Sequence, residues 1–189
     1  MTALCSYFSH YSGPHRGAGD RIEQVHARDD VRFKCLVERY QQEIFAFTHA
    51  LTGDEQEADI LAQRIFVRAY EDSPPPDASM AISTWLYRLA LEEFVLQSRV
   101  NGLRRVLQAF PAALVARSLP TNEQSAIRKG LRTLSAKAMA LLVLREVAHQ
   151  SVPELAQIAG CDVLEIRAQL LNARRALSTA LRQVDSGGV

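Results

Sequence analysis

Apolar positions along this chain fall on helical spacing almost wherever they form a pattern. In "DDVRFKCLVERYQQEIFAFTHALTG", Phe33, Leu36, Val37, Tyr40, Ile44, Phe47 and Leu51 recur mostly at steps of three and four. That predicts an amphipathic helix starting near Asp29. Gly53 supplies a stop, and "DEQEADILAQRIFVRAYED" opens a second helix with acids in its first turn. Its expected buried stripe is Ala58, Leu61, Ala62, Ile65, Phe66 and Ala69. "SPPPDAS" cannot continue that helix, because successive prolines remove backbone donors and fix φ. A third helix is expected in "STWLYRLALEEFVLQSR", with Ser83 as its N-cap.

Between about 100 and 122 the pattern breaks at two prolines and a glycine, which marks a boundary. This stretch is fairly apolar, so part of it is expected to pack as a short helix. Beyond it, helices are expected at 123–133, 135–148, 151–159 and 162–184. No segment alternates as a strand would. The fold class is therefore all-α: two small helical domains joined by a linker. The expected division is a mobile N-terminal tail at 1–28, a helical domain at 29–99, a linker at 100–122 and a second domain at 123–184.

The second domain contains the most informative stretch, "SVPELAQIAGCDVLEIRAQLLNARRAL". Ser151 can cap a short helix whose first turn holds Pro153 and Glu154. Gly160 provides a tight turn, and Asp162 can cap the next helix. That helix would bury Val163, Ile166, Leu170, Ala173 and Leu177. Its outer face would carry Glu165, Gln169, Asn172 and Arg175, flanked by Arg167 and Arg174. A short helix, a glycine turn and a longer helix with polar reach is the spacing of a helix-turn-helix that reads the major groove. A plain structural αα-hairpin has the same spacing, and the pattern alone leaves both open.

Charge sharpens the division. The 189 residues carry a formal net charge of +1. Residues 29–99 hold 13 acidic against 7 basic side chains, a balance of −6, and residues 100–189 hold 6 against 12, a balance of +6. Only the second half is electrostatically suited to a phosphate backbone. Cys5, Cys35 and Cys161 are distant and form no CxxC pair, which argues against a disulfide framework and a cysteine metal site. The five histidines show no ligand spacing. No cofactor, metal or enzymatic chemistry is expected, since no nucleophile–base pair or phosphate loop is present. No apolar run is long enough to span a bilayer and no secretory leader is evident, so a cytoplasmic location without membrane insertion is expected.

"LRTLSAKAMALLVLREVAHQSVPELAQIAGCDVLEIRAQLLNARRAL" resembles the C-terminal, −35-reading domain of extracytoplasmic-function (ECF) sigma factors. "LVERYQQEIFAFTHALTGDEQEADILAQRIFVRAYE" followed by "STWLYRLA" resembles the promoter-melting domain of the same family, in the same order. The resemblance covers about 33–99 and 123–184. It implies a factor that binds core RNA polymerase at the β′ clamp helices and the β flap, directs initiation at promoter DNA, and is held by an anti-sigma factor. Asp59, Gln63 and Phe66 occupy the positions that meet the clamp helices, though Phe66 also lies on the expected buried stripe. Trp85, Arg88, Glu92 and Arg99 fall where the family captures the −10 element. The bland readings are core for Trp85 and solvated charge for the arginines. Glu165, Arg167, Gln169, Asn172, Arg174 and Arg175 fall on the −35 reader.

This chain departs from the family at several of these places. Ile60 and Arg64 stand where acids are usual. Glu92 replaces an asparagine and Leu96 an aspartate, so Glu92–Glu93 sets two carboxylates where a DNA strand would lie. Gln169 and Asn172 replace basic residues, and both remain able to read adenine edges. A second reading follows from these changes: a divergent sigma-like interaction protein that binds polymerase or an anti-sigma factor without efficient promoter melting.

Overall fold

A computed structural model describes residues 21–72, 80–100 and 134–185. Among the described residues there are six α-helices and no strand: α1 Arg21–Thr52, α2 Glu55–Glu71, α3 Ile82–Val100, α4 Ala136–Glu146, α5 Val152–Ala159 and α6 Val163–Asp185. The all-α expectation holds. Residues 1–20 of the expected tail, the proline segment, nearly all of the expected linker and the expected helix at 123–133 lie outside the described residues. Contacts divide the chain into two units, Met1–Tyr40 and Gln41–Val189.

Helix α1 begins at Arg21, ahead of the expected Asp29. The segment before Asp29 has no apolar period, and periodicity locates a buried face rather than the first helical residue. At its other end Gly53 adopts φ 68° and donates its N–H to the His49 carbonyl at 2.8 Å, so the expected glycine stop is present. Asp54 then caps α2 by accepting from the Glu57 N–H at 2.9 Å.

All six residues of the expected α2 stripe are buried: Ala58, Leu61, Ala62, Ile65, Phe66 and Ala69. They face the core between α2 and α3, where Leu86 and Phe94 are also fully buried. Each large side chain removed from water here contributes about 1.5–3 kcal/mol. Phe47 of α1 meets Tyr87 of α3 edge-on, ring centroids 5.7 Å apart. Burial pushes the Tyr87 hydroxyl up to about 12, and the charge of Glu43 adds to the shift. The buried hydroxyls of Thr52 and Ser98 return to helix carbonyls, Thr48 at 3.0 Å and Phe94 at 2.7 Å, so neither is left unsatisfied.

Ser83 is not the cap of α3. The helix already includes Ile82, and the first intrahelical bond runs from Trp85 N–H to the Ala81 carbonyl, so Ser83 sits inside the first turn.

Helix α4 is buried almost all round, with Met139 through Leu144 all buried. It packs against α3, α5 and α6, and α3 packs in turn against α5. A short helix that is apolar on every side is stable only when surrounded in this way.

Candidate nucleic-acid interface

The α4–α6 segment is built from local signals that all agree. After α4 the chain turns at His149, a non-glycine residue at φ 52°. The Arg145 guanidinium closes this turn by donating to the Gln150 carbonyl at 2.8 Å. Ser151 and Glu154 form a complete capping box on α5, with the Ser151 N–H donating to Glu154 Oε2 at 2.6 Å. Those bonds hold the Glu154 carboxyl below its ordinary range. Gly160 ends α5 in the left-handed region at φ 62°. Asp162 caps α6 through the Leu164 N–H at 3.0 Å. The expected cap residues and glycine turn are all found in place.

The faces of α6 follow from its pitch of about 100° per residue. Ile166, Leu170 and Ala173 are buried against the preceding helices, with Val163 and Leu177 at the margin. Glu165, Gln169 and Asn172 lie on one flank, and Gln169 Nε2 donates to Glu165 Oε1 at 2.8 Å. Arg167 and Arg174 lie on the other flank, where Arg174 pairs with Glu146 of α4 at 2.8 Å. Arg175 is exposed. The line directly opposite the buried face is Leu164, Ala168, Leu171 and Arg175, within about 60° of arc. Leu164 is 69% exposed and Leu171 49%.

On α3, Glu92 and Glu93 are not free carboxylates. Arg68 of α2 donates through Nη2 to Glu92 at 2.6 Å and through Nη1 to Glu93 at 3.2 Å. Its Nε also reaches Asp72 at 3.3 Å. One cation against three anions leaves this cluster at −2. Burial pulls the Arg68 guanidinium down, but the Glu92 and Glu93 contacts outweigh it and hold it above its ordinary value.

Arg88 is half-buried and donates through Nη2 to the backbone carbonyl of Gln157 in α5. Its Nε is buried without a hydrogen-bond partner among the described residues. Arg99 is exposed at the end of α3. Trp85 is 2% exposed, which makes it a core residue in this structure and removes it from any DNA-stacking surface. Phe66 is likewise fully buried, so it cannot serve as a surface anchor while α2 is packed. Asp59 and Gln63 remain at the α2 surface, with Gln63 Nε2 donating to Asp59 Oδ2 at 3.0 Å. Beside them Ile60 is 48% exposed, the apolar residue on that edge.

Arg68, Gln157 and the Leu164–Leu171 line were not singled out by sequence reasoning. Arg68 lies about one helical turn beyond Arg64 in α2, but its partners sit in the next helix, where no spacing rule reaches. The apolar line on α6 was legible as leucines outside the buried period. Among the described residues no group of acidic, histidine or cysteine side chains is placed to hold a metal ion. No helix among them is long and apolar enough to cross a membrane.

The region-2 model of the sigma-70 family matches residues 36–99. The ECF RNA polymerase sigma factor SigW of Bacillus subtilis is 25% identical over 181 residues, covering 87% of this chain and 96% of that protein. Two solved structures share the fold at a TM-score of 0.57. One is CnrH in complex with the cytosolic domain of CnrY, at 22% identity, covering 80% of this chain and 88% of CnrH. The other is the sigma factor RpoE of Bartonella quintana with the anti-sigma factor NepR, at 20% identity, covering 80% of this chain and 97% of that one.

Proposed function

The chain belongs to the ECF branch of the sigma-70 family, and from that premise we propose how its elements divide the work of transcription initiation. It is a sigma factor: it binds core RNA polymerase, acts at promoter DNA and is a partner for an anti-sigma factor. Factors of this kind are not enzymes. The observation that carries this reading is a similarity that runs through both the region-2 match and the helix-turn-helix in one collinear chain.

In this assignment residues 29–99 bind polymerase and open the promoter, while 123–184 meet the β flap and the −35 element. Asp59 and Gln63 present a carboxylate and an amide suited to the cationic β′ clamp helices. Arg99, and Arg88 once freed from Gln157, hold −10 phosphates. Glu165, Gln169 and Asn172 supply hydrogen-bonding groups to base edges, and Arg167, Arg174 and Arg175 supply the phosphate contacts. No cofactor or chemical step of its own is required, and the location is cytoplasmic, with polymerase.

The cluster around Arg68 favours a second reading, in which the protein binds polymerase or an anti-sigma factor but melts DNA poorly. A residual charge of −2 beside the path of a single strand opposes capture. One experiment separates the two. Fragmented genomic DNA is transcribed by purified core polymerase with and without this protein, and transcript starts are sequenced. New starts that share an upstream motif are expected. Co-purification with core enzyme without any new start would establish the second reading.

A further inference from the structure

The geometry points to Leu164 and Ala168 as readers of thymine methyl groups in the −35 element. The inference rests on the reading of α6 as the −35 helix and deepens it.

In a helix-turn-helix, the N-terminal part of the second helix meets base edges, and the line opposite its buried face goes deepest into the major groove. On α6 that line is apolar where it starts, Leu164 in the first turn and Ala168 in the next, and it ends in a cation, Arg175. The exposure of Leu164 means that no other part of the described chain covers it. Exposed Arg167 on the flank and Arg175 along the line supply the charge that matches a phosphate backbone.

Every base-pair edge in the major groove presents hydrogen-bonding groups, and only thymine adds a methyl. A leucine pressed onto a G·C pair would strip water from polar atoms and return nothing, which is costly. Against thymine it buries a methyl group and leaves the neighbouring acceptor to solvent or to the polar flank. The outermost line therefore selects for T and against G·C, while Gln169 and Asn172 on the flank remain suited to adenine.

The test uses holoenzyme assembled from the full chain and core polymerase. It is first offered promoter duplexes randomised across the −35 window, and bound sequences are read. The preferred duplex is then remade with deoxyuridine in place of each thymine in turn, which removes only the methyl. At one or two positions the wild type is expected to bind the uracil duplex about four-fold more weakly, the worth of one buried carbon. Leu164→Ala, at an exposed helical site that should not disturb folding, is expected to bind thymine and uracil duplexes alike there. Wild-type binding indifferent to uracil at every position would overturn the inference. So would a Leu164→Ala variant with undiminished methyl sensitivity, including one whose only change is in self-association by sedimentation, which would mark the line as protein-facing. If no upstream motif is selected at all, the −35 reading fails first, at a stage visible before any uracil is introduced, and the inference falls with it.

Discussion

Arg68 Nη2 lies 2.6 Å from Glu92 Oε2, and the same guanidinium reaches Glu93 on the neighbouring position of α3. The two contacts differ in worth. Glu92 is largely exposed, where an ion pair contributes about 0–1 kcal/mol. Glu93 has a side chain only 15% exposed, so losing its partner leaves a carboxylate poorly solvated.

Arg68→Ala is therefore expected to lower stability by about 1–3 kcal/mol, the cost of leaving a part-buried charged acceptor unpaired. Adding Glu93→Gln should recover part of that loss, whereas adding Glu92→Gln should recover little. Urea denaturation of the wild type, the three single variants and the two double variants completes a double-mutant cycle for each pair and measures the difference. Equal coupling to both glutamates would contradict the ranking.

The two turns of the α4–α6 segment make opposite predictions. Gly160 sits at φ 62° with nothing within 4 Å of where a Cβ would be placed. Any cost of a side chain there is conformational alone, so Gly160→Ala should destabilise by about 1–2 kcal/mol and Gly160→Asn by less. His149 holds the same left-handed region without being glycine and is exposed. His149→Gly should relieve that strain and stabilise by up to about 1 kcal/mol. Thermal melts of the three variants decide it, and His149→Gly is the informative one, since a loss would mean that the imidazole holds the turn in some other way.

The capping box gives a pH signature. Glu154 is depressed first by the Ser151 hydroxyl and then by the Ser151 backbone N–H. A carboxyl with a lowered folded value contributes stability that is fully present above the unfolded value of about 4.3 and is lost as pH falls through the folded one. Glu154→Gln should thus be less stable than the wild type at pH 7 and converge with it in acid. Ser151→Ala, which also removes the N-cap oxygen, should cost about 1 kcal/mol at pH 7. Melting temperatures from pH 7 to pH 3 test both, and a gap between wild type and Glu154→Gln that stays constant across that range would rule out the linkage.

Most of the local architecture was legible in the sequence because it is encoded locally. The α2 stripe is a period, the α5 cap is a Ser-x-x-Glu spacing, and the α5–α6 turn is a glycine, so each needs only a few neighbouring residues. Tertiary partners were less legible. Glu92 and Glu93 read as two carboxylates facing DNA because Arg68 is brought to them only when α2 folds against α3. Trp85 and Phe66 occupy positions that the family resemblance ties to binding, yet both face the core here, since a helix shows which residues share a face but not which face is covered. The α1 start and the Ser83 cap failed for the opposite reason: helix ends are set by small local energies that a neighbouring turn can outweigh.

The packing of α3 against both α4 and α5 has a consequence for how the molecule melts. Helices that share one buried face cannot lose it separately: releasing α4 and α5 would uncover apolar side chains of α3, and the reverse. Unfolding of α2 to α6 is then expected to be a single cooperative event, with the heat absorbed in calorimetry equal to that inferred from the sharpness of the transition. A fragment beginning near residue 123 would lack α3 and present the partner face of α4 and α5 to water. Its stability would understate what the same helices possess in the full chain, and the free energy holding α3 to them is the work any binding partner must do to part them.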